Sequence, residues 1–354
     1  MKKIKIFFPF CGETMGGSHI SALTLIEFLK KDNFDILIGI HNKGIFKKYC
    51  EKKKIKFCYL NKKFFSNSRN FLFNIYILIL NFTFFYKFLK KNKIDIIHIN
   101  DYRMLNTWTI VSFISKIEKI IFHQRNPVPN SRWVKFNLKI VSKIISISKF
   151  VFSSLEKRIK KKSLVVHNPI KKIKVLYKPK KNIIGFVGSY VKRKRPEIFF
   201  KFAEKVILQK KNFRFIFIGH ISDDNINDVY VKYPTLKKKL IFTKFVMNPY
   251  SLIKKCSLII CPARNEGFGR VPLEAGYLKV PSLVSYSGGH KEFIKYSLCL
   301  FAKGNSEQAY LKIYKKALNI NVRKKMIHNI FKYNKKFTLP NIHSNKVIKI
   351  YKSL

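Results

Sequence analysis

Acidic side chains are scarce in this chain. Only 18 Asp and Glu stand against 73 Lys and Arg in 354 residues, a formal net charge of +55. No Asp-x-Asp pair follows a strand where it could bridge a metal to a diphosphate. Asp223 and Asp224 are adjacent and read as part of a polar loop. The six cysteines include no CxxC pair, which argues against a zinc site and points to free thiols in a reducing compartment. The histidines show no metal-ligand spacing such as HExxH. There is no RNP, KH or zinc-finger pattern, no short internal repeat and no low-complexity tail. The apolar run of "MKKIKIFFPFCGE" is too short for a signal peptide and is expected to be a first strand. One longer apolar stretch, Phe71 to Lys90, is interrupted by Asn74, Asn81 and Thr83. A spanning helix needs roughly 20 predominantly apolar residues. The segment is therefore expected to be a buried or membrane-surface helix.

What is present begins with lysine: 62 Lys and 11 Arg, spread along the whole chain. Lys, Asn, Ile and Phe are jointly abundant, as an AT-rich genome would encode. A surface this positive is also drawn to anionic lipid or nucleic acid, whatever its task. The chain is 47% hydrophobic, with 34 Phe and 17 Tyr, so it has the material for two packed cores.

Short Ile-, Val- and Phe-rich runs alternate with helix-length amphipathic stretches. Strands are predicted at Ile4–Phe8, Phe34–Ile40, Ile55–Leu60, Ile94–Ile99, Ile120–His123, Ile144–Ile147 and Leu164–Val166. The second half repeats the pattern at Ile183–Val187, Phe213–Ile218, Leu240–Phe242, Leu258–Cys261, Ser282–Val284 and Leu298–Phe301. Continuous apolar strands between helices predict parallel sheets covered on both faces. A Lys- and Pro-containing linker is expected from Asn168 to Lys181. The fold class is α/β: two Rossmann-like, doubly wound parallel-sheet domains facing a cleft, with ligands expected at the carboxyl ends of the strands. The expected boundaries are 1–170 for the first domain and 171–335 for the second. Residues 336–354 are expected to form a C-terminal helix, with packing back on the first domain as one option.

The segment "ARNEGFGRVPLEAGYLK" holds two of the few acids, Glu266 and Glu274, around Gly267-Phe268-Gly269. The glycines allow a sharp turn and a close backbone approach to a ligand. Pro272 suits the first turn of a following helix, whose N-terminus favours phosphate. Glu274 is expected in that first turn, exposed and facing the ligand. Carboxylates that accept hydroxyl hydrogen bonds beside an anion site describe a sugar nucleotide.

"NEGFGRVPLEAG" resembles the E-x7-E signature of retaining family-4 glycosyltransferases, which have the GT-B fold. The resemblance continues in order through "GETMGGSHIS", "IDIIHIND", "IIFHQRN", "IISIS", "VVHNPI", "IGFVGSYVKRKRPEIF" and "PSLVSYSGGHKEFI". It implies that Glu274 holds the ribose hydroxyls and Glu266 those of the donor sugar. Phe268 and Gly269 would offer backbone amides near the sugar and phosphate, with Gly267 and Arg270 in the same nucleotide-sugar site. Lys194 would neutralise the diphosphate, Gly16 and Gly17 would approach it, and His123 would sit at the donor sugar. The family commonly has Arg where this chain has Ser189, so Lys192, Arg193 or Arg195 is a candidate substitute. Lys is a point charge and Arg a bidentate fork, so the exchange is not neutral. His98 ends an apolar strand and reads equally as structural or functional.

The expected activity is a retaining, metal-independent transfer of a hexosyl unit from a nucleotide diphosphate sugar. The acceptor would be a glycan or lipid-linked saccharide in surface polysaccharide or lipopolysaccharide synthesis, read by basic loops at Asn61–Asn70 and Arg125–Arg132. No cofactor is expected beyond the donor substrate. The expected location is cytoplasmic, peripheral on the inner face of the plasma membrane, with an anionic membrane surface as partner and no specific nucleic acid. Two alternatives stand beside it: a non-hydrolysing sugar-nucleotide epimerase of the same fold, and a basic nucleic-acid-binding protein.

Overall fold

The computed structural model describes residues 3–66, 70–173, 182–209 and 212–353. The chain divides into two compact units. Unit 1 comprises Met1–Pro169 with Pro340–Leu354, and unit 2 comprises Ile170–Leu339. The expected linker lies outside the described residues from 174 to 181, as do positions 67–69 of the expected loop 61–70.

Unit 1 contains seven strands: β1 (Ile4–Phe10), β2 (Phe34–Ile40), β3 (Cys58–Tyr59), β4 (Ile96–Ile99), β5 (Lys119–Gln124), β6 (Lys143–Ser146) and β7 (Ser163–Val165). They form one parallel sheet in the order β3-β2-β1-β4-β5-β6-β7. Successive side chains of a strand point to opposite faces. Ile6, Phe8, Ile96 and Ile121 thus enter one core, which the C-terminal helix Pro340–Lys352 covers with Val347, Ile348 and Tyr351. Phe7, Ile97, Ile120 and Phe122 enter the other core, around Trp108.

Unit 2 contains β8 (Ile183–Val187), β9 (Arg214–Ile218), β10 (Leu240–Phe242), β11 (Leu258–Cys261), β12 (Ser282–Ser285) and β13 (Leu300–Ala302). They form a parallel sheet ordered β10-β9-β8-β11-β12-β13. All thirteen predicted strands are present, and both domains are Rossmann-like. Four begin later than predicted, β9 by one residue and the other three, β3, β4 and β13, for one reason. Lys54, Lys93 and Ser297 take left-handed backbone conformations at helix ends. The next residue then donates to the carbonyl five back: Ile55 to Cys50, Ile94 to Leu89 and Leu298 to Phe293. These are Schellman-type stops, so the first apolar residue closes a helix before the strand starts.

The apolar stretch forms one helix, Phe71–Lys91. It packs through Asn74, Ile77, Phe85 and Leu89, while Leu72, Tyr76, Ile79 and Leu80 are more than half exposed. It is long and apolar enough to cross a membrane by length and composition, but one of its faces is seated on unit 1. Asp223 and Asp224 correct another expectation. They lie in the first turn of the helix Asp223–Lys232, capped by Ser222, and not in a loop. Acids there complement the helix dipole.

Candidate functional site

In unit 2 the chain leaves β11 and enters a loop that ends at Gly269. Gly269 has φ 92° and ψ 61°, and the helix Arg270–Tyr277 starts directly after it. Pro272 is the third helical residue, where an N–H would have no intrahelical partner anyway. The early start corrects the placing of Glu274. It lies in the second turn, is buried, and accepts a 2.7 Å hydrogen bond from Arg270 Nη2 one turn earlier.

Glu266 sits at the loop apex. Lys194 Nζ lies 2.7 Å and Arg193 Nη1 3.1 Å from its Oε2. Burial raises the pKa of its carboxyl, but Lys194, Arg193 and His290 outweigh that and hold it at about 2. Glu266 is therefore an ionised acceptor at neutral pH. The two cations come from the turn after β8, where Ser189 is exposed. Arg195, a third candidate there, is buried and donates to the Pro262 carbonyl and to Asn305, so its role is structural. Lys192 is exposed.

The second glycine pair explains how the Glu266 loop is held. Gly289 N–H donates to the Glu266 carbonyl at 2.7 Å. A side-chain carbon on Gly288 would lie 2.6 Å from the Glu266 backbone, and one on Gly289 2.5 Å from the Gly267 carbonyl oxygen. Only glycine lets the two segments meet. His290 follows, buried against Gly269, with Nδ1 3.2 Å from Ser285 Oγ. Burial lowers its pKa to about 4 despite the Glu266 charge. From the sequence His290, like His167 and His220, is expected to be structural more often than functional; its position directly after the glycine pair is the signal that sets it apart. Unit 2 thus sets Glu266, Gly267, Phe268, Gly269, Arg270 and Glu274 along one loop and helix start, with Lys194 reaching Glu266 from the turn after β8. Ser189 lies on that same turn.

In unit 1, Gly16 and Gly17 open the helix Gly17–Leu29. A side-chain carbon on Gly16 would meet open space. Glu13, just before them, accepts from Arg103 at 2.8 Å and Asn42 at 2.9 Å, which anchors the loop. His123 is fully buried on β5. Its Nδ1 lies 3.2 Å from His98 Nε2, and its ring stacks on His343. Arg125 corrects its expected place on an acceptor-reading loop: it is buried, with donors to Asn168 and Asn100. Among the described residues, no group of three or more His, Cys, Asp or Glu is placed to hold a metal ion.

The unit 2 site is an ionised carboxylate flanked by cations, beside a helix start that carries a second carboxylate. Such a site can bind a polyhydroxylated phosphate ester. Residues 168–336 match the family of glycosyl transferases group 1. The matched residues include "NEGFGRVPLEAG" and nearly all of unit 2. The uncharacterized glycosyltransferase MJ1178 of Methanocaldococcus jannaschii is 27% identical over 217 residues, 60% of this chain and 60% of that protein. The capsular polysaccharide biosynthesis glycosyltransferase CapM of Staphylococcus aureus is 27% identical over 104 residues, 29% of this chain and 27% of that protein. The chain thus matches less than two thirds of the length of these curated relatives. Among solved structures, Anabaena Alr3699/HepE in complex with UDP and glucose superposes with a TM-score of 0.79 at 17% identity, covering 99% of this chain and all of that one. The fold is therefore that of the GT-B glycosyltransferases.

Proposed function

We propose that the protein is a retaining hexosyltransferase that uses a nucleotide diphosphate sugar as donor. The observation that carries this reading is the Glu266 cluster: a carboxylate held ionised by Lys194 and Arg193, seated on Gly288-Gly289 and adjoining the helix that bears Glu274. Glu266 would accept hydrogen bonds from hydroxyls of the transferred sugar, and Glu274 from the ribose. Lys194 has three N–H donors, so it can keep Glu266 and still reach a phosphate oxygen. As the anomeric C–O bond breaks, its electron pair goes to the leaving phosphate oxygen. Lys194, Arg193 and the helix start at Gly269–Arg270 would stabilise that growing charge. The acceptor hydroxyl would attack the anomeric carbon from the face the diphosphate leaves, passing its proton to the departing oxygen. The decisive experiment incubates the purified chain with labelled nucleotide diphosphate hexoses, with and without a membrane glycolipid extract. The expected result is label in a glycan or glycolipid with the donor's anomeric configuration. An epimerised nucleotide sugar formed without acceptor would support the epimerase instead.

Metal independence is part of the proposal. EDTA is expected to leave initial rates unchanged. Loss of activity on chelation, restored by Mg²⁺ or Mn²⁺, would mean that cationic side chains alone do not carry the leaving-group charge.

We also propose that the protein works at the inner face of the plasma membrane on a glycan or lipid-linked saccharide. The exposed face of the helix Phe71–Lys91, with Leu72, Tyr76, Ile79 and Leu80 outward, supports this, as does the excess of lysine. Each Lys near an anionic surface contributes roughly 1 kcal/mol, within about a Debye length. The protein is expected to bind phosphatidylserine vesicles at low salt. A fraction should stay bound in high salt and come off only with detergent, because the apolar face inserts. Full release by salt would leave charge alone as the cause, and no binding at low salt would favour a soluble acceptor.

A further inference from the structure

We propose that Tyr351 and His98 are positioning residues that fix His123 as an Nε2–H hydrogen-bond donor toward a substrate oxygen. The proposal rests on the reading of His123 as a residue that meets the transferred sugar. It concerns what that imidazole can do there: donate a hydrogen bond, and not act as a general base through Nε2.

The argument starts from strand alternation. His98 on β4 and His123 on β5 share the face with Ile96 and Ile121, under the helix Pro340–Lys352. That helix supplies both Tyr351 and His343. Tyr351 Oη lies 2.6 Å from His98 Nδ1, and His98 Nε2 lies 3.2 Å from His123 Nδ1. Tyr351, His98 and His123 are all fully buried.

Two facts set the direction of this chain. His98 Nδ1 is the hydrogen-bond partner of the Tyr351 hydroxyl among the described residues. If that nitrogen carried the proton, the buried O–H would have no acceptor, which is costly. Tyr351 therefore donates to His98 Nδ1. A neutral imidazole has one donor and one acceptor nitrogen, so His98 donates from Nε2 to His123 Nδ1. His123 must then carry its proton on Nε2. That atom is buried and has no partner among the described residues.

Both rings stay neutral for a physical reason. Burial pushes the pKa of each well below the usual histidine range, and the nearby Arg125 charge pushes further in the same direction. The groups facing His123 are His98, Arg125 and the stacked ring of His343, whose Nδ1 lies 2.8 Å from the His167 carbonyl oxygen. None of them is an acid that would stabilise an imidazolium.

The test is long-range proton–nitrogen NMR correlation of the imidazole rings in the full chain, with His123 assigned by its loss in His123→Gln. Wild type is expected to show His123 as the neutral Nε2–H tautomer. The Nδ1–H tautomer, or a charged ring at neutral pH, would overturn the proposal. Tyr351→Phe keeps the ring that fills the core and removes only the hydroxyl. It is expected to yield mixed tautomers at His98 and His123, and an unchanged spectrum would remove Tyr351 from the relay. The same variant should lower turnover roughly tenfold, the scale of one weakened hydrogen bond, with nucleotide diphosphate affinity nearly unchanged. A shifted tautomer with wild-type turnover would overturn the placing of His123 at the sugar. The spectra need no substrate, so failure of the relay is distinguishable from failure of the transferase reading.

Discussion

Glu274→Gln is expected to lower kcat/KM for sugar transfer by roughly 100-fold to 1000-fold, with a much smaller loss of thermal stability. A carboxylate that accepts two ribose hydroxyls makes charge-assisted hydrogen bonds, each contributing about 1.5–3 kcal/mol, and every 1.36 kcal/mol is a factor of ten in rate. Glutamine keeps the shape and one acceptor oxygen but loses the charge. Alanine is a poorer probe here than it would be for an exposed first-turn acid. Glu274 is buried and bonded to Arg270 at 2.7 Å. Removing it breaks a nearly buried ion pair, which weakens the fold as well as the site. Glu274→Ala should therefore lose activity and lower Tm together. Steady-state kinetics and thermal melts of both variants separate the effects. If Glu274→Gln retains activity within a few fold of wild type, Glu274 serves only as the partner of Arg270.

The fold was legible because its strands are buried on both faces and so read as continuous Ile, Val and Phe runs. The helix ends were not. A stop signal is usually sought in glycine, and this chain places Lys54, Lys93, Lys116 and Lys279 in the left-handed region. Each non-glycine residue there costs about 1 kcal/mol, which the tertiary packing must offset. No local pattern shows a lysine in that role. The site divides in the same way. The spacing of Glu266 and Glu274 around Gly267-Phe268-Gly269 is local and could be read directly. The partners of Glu266 could not, because Lys194 is 72 residues away and meets it only once β8 and β11 pair. Tyr351 is farther still from His98, at 253 residues, and sits on a helix whose spacing said only that one face is apolar. The seating of that helix on the β4–β5 face brings Tyr351 to His98, and His98 meets His123, a set of contacts that no single residue announces.

Acidification is expected to unfold the protein well before its carboxylates titrate. The cause is histidine. His41 is fully buried, and Trp108 Nε1 donates to its Nε2 at 3.0 Å. An indole can only donate, so His41 Nε2 must be unprotonated, and Nδ1–H donates to the Lys62 carbonyl at 2.8 Å. Protonating His41 would break the Trp108 bond and bury a charge. Burial lowers its pKa to about 4, although the Lys62 carbonyl pulls the other way. His290 is also held at about 4 by burial, and His98 and His123 lie well below the usual range. These four have folded pKa values below their unfolded value of 6.5. The unfolded chain then binds more protons between pH 6.5 and 4. The stability they contribute is complete above pH 6.5 and is lost as pH falls toward 4. Each contributes a slope of up to about 1.4 kcal/mol per pH unit in that window, so the three in unit 1, His41, His98 and His123, together are of the order of a domain's whole stability of about 5–15 kcal/mol, while His290 acts on unit 2. Glu266 acts at lower pH, since its depressed pKa contributes stability that is lost only from about 4.5 down to about 2. Trp108 fluorescence during urea unfolding at pH 7.5, 6.5 and 5.5 should show midpoints that fall steeply below 6.5. In His41→Gln the amide can still accept from Trp108 and does not titrate, so the slope of unit 1 should flatten. Midpoints that stay level from pH 7.5 to 5.5 would show that the histidines gain protons in the folded state, and that the Trp108–His41 bond does not hold its ring neutral.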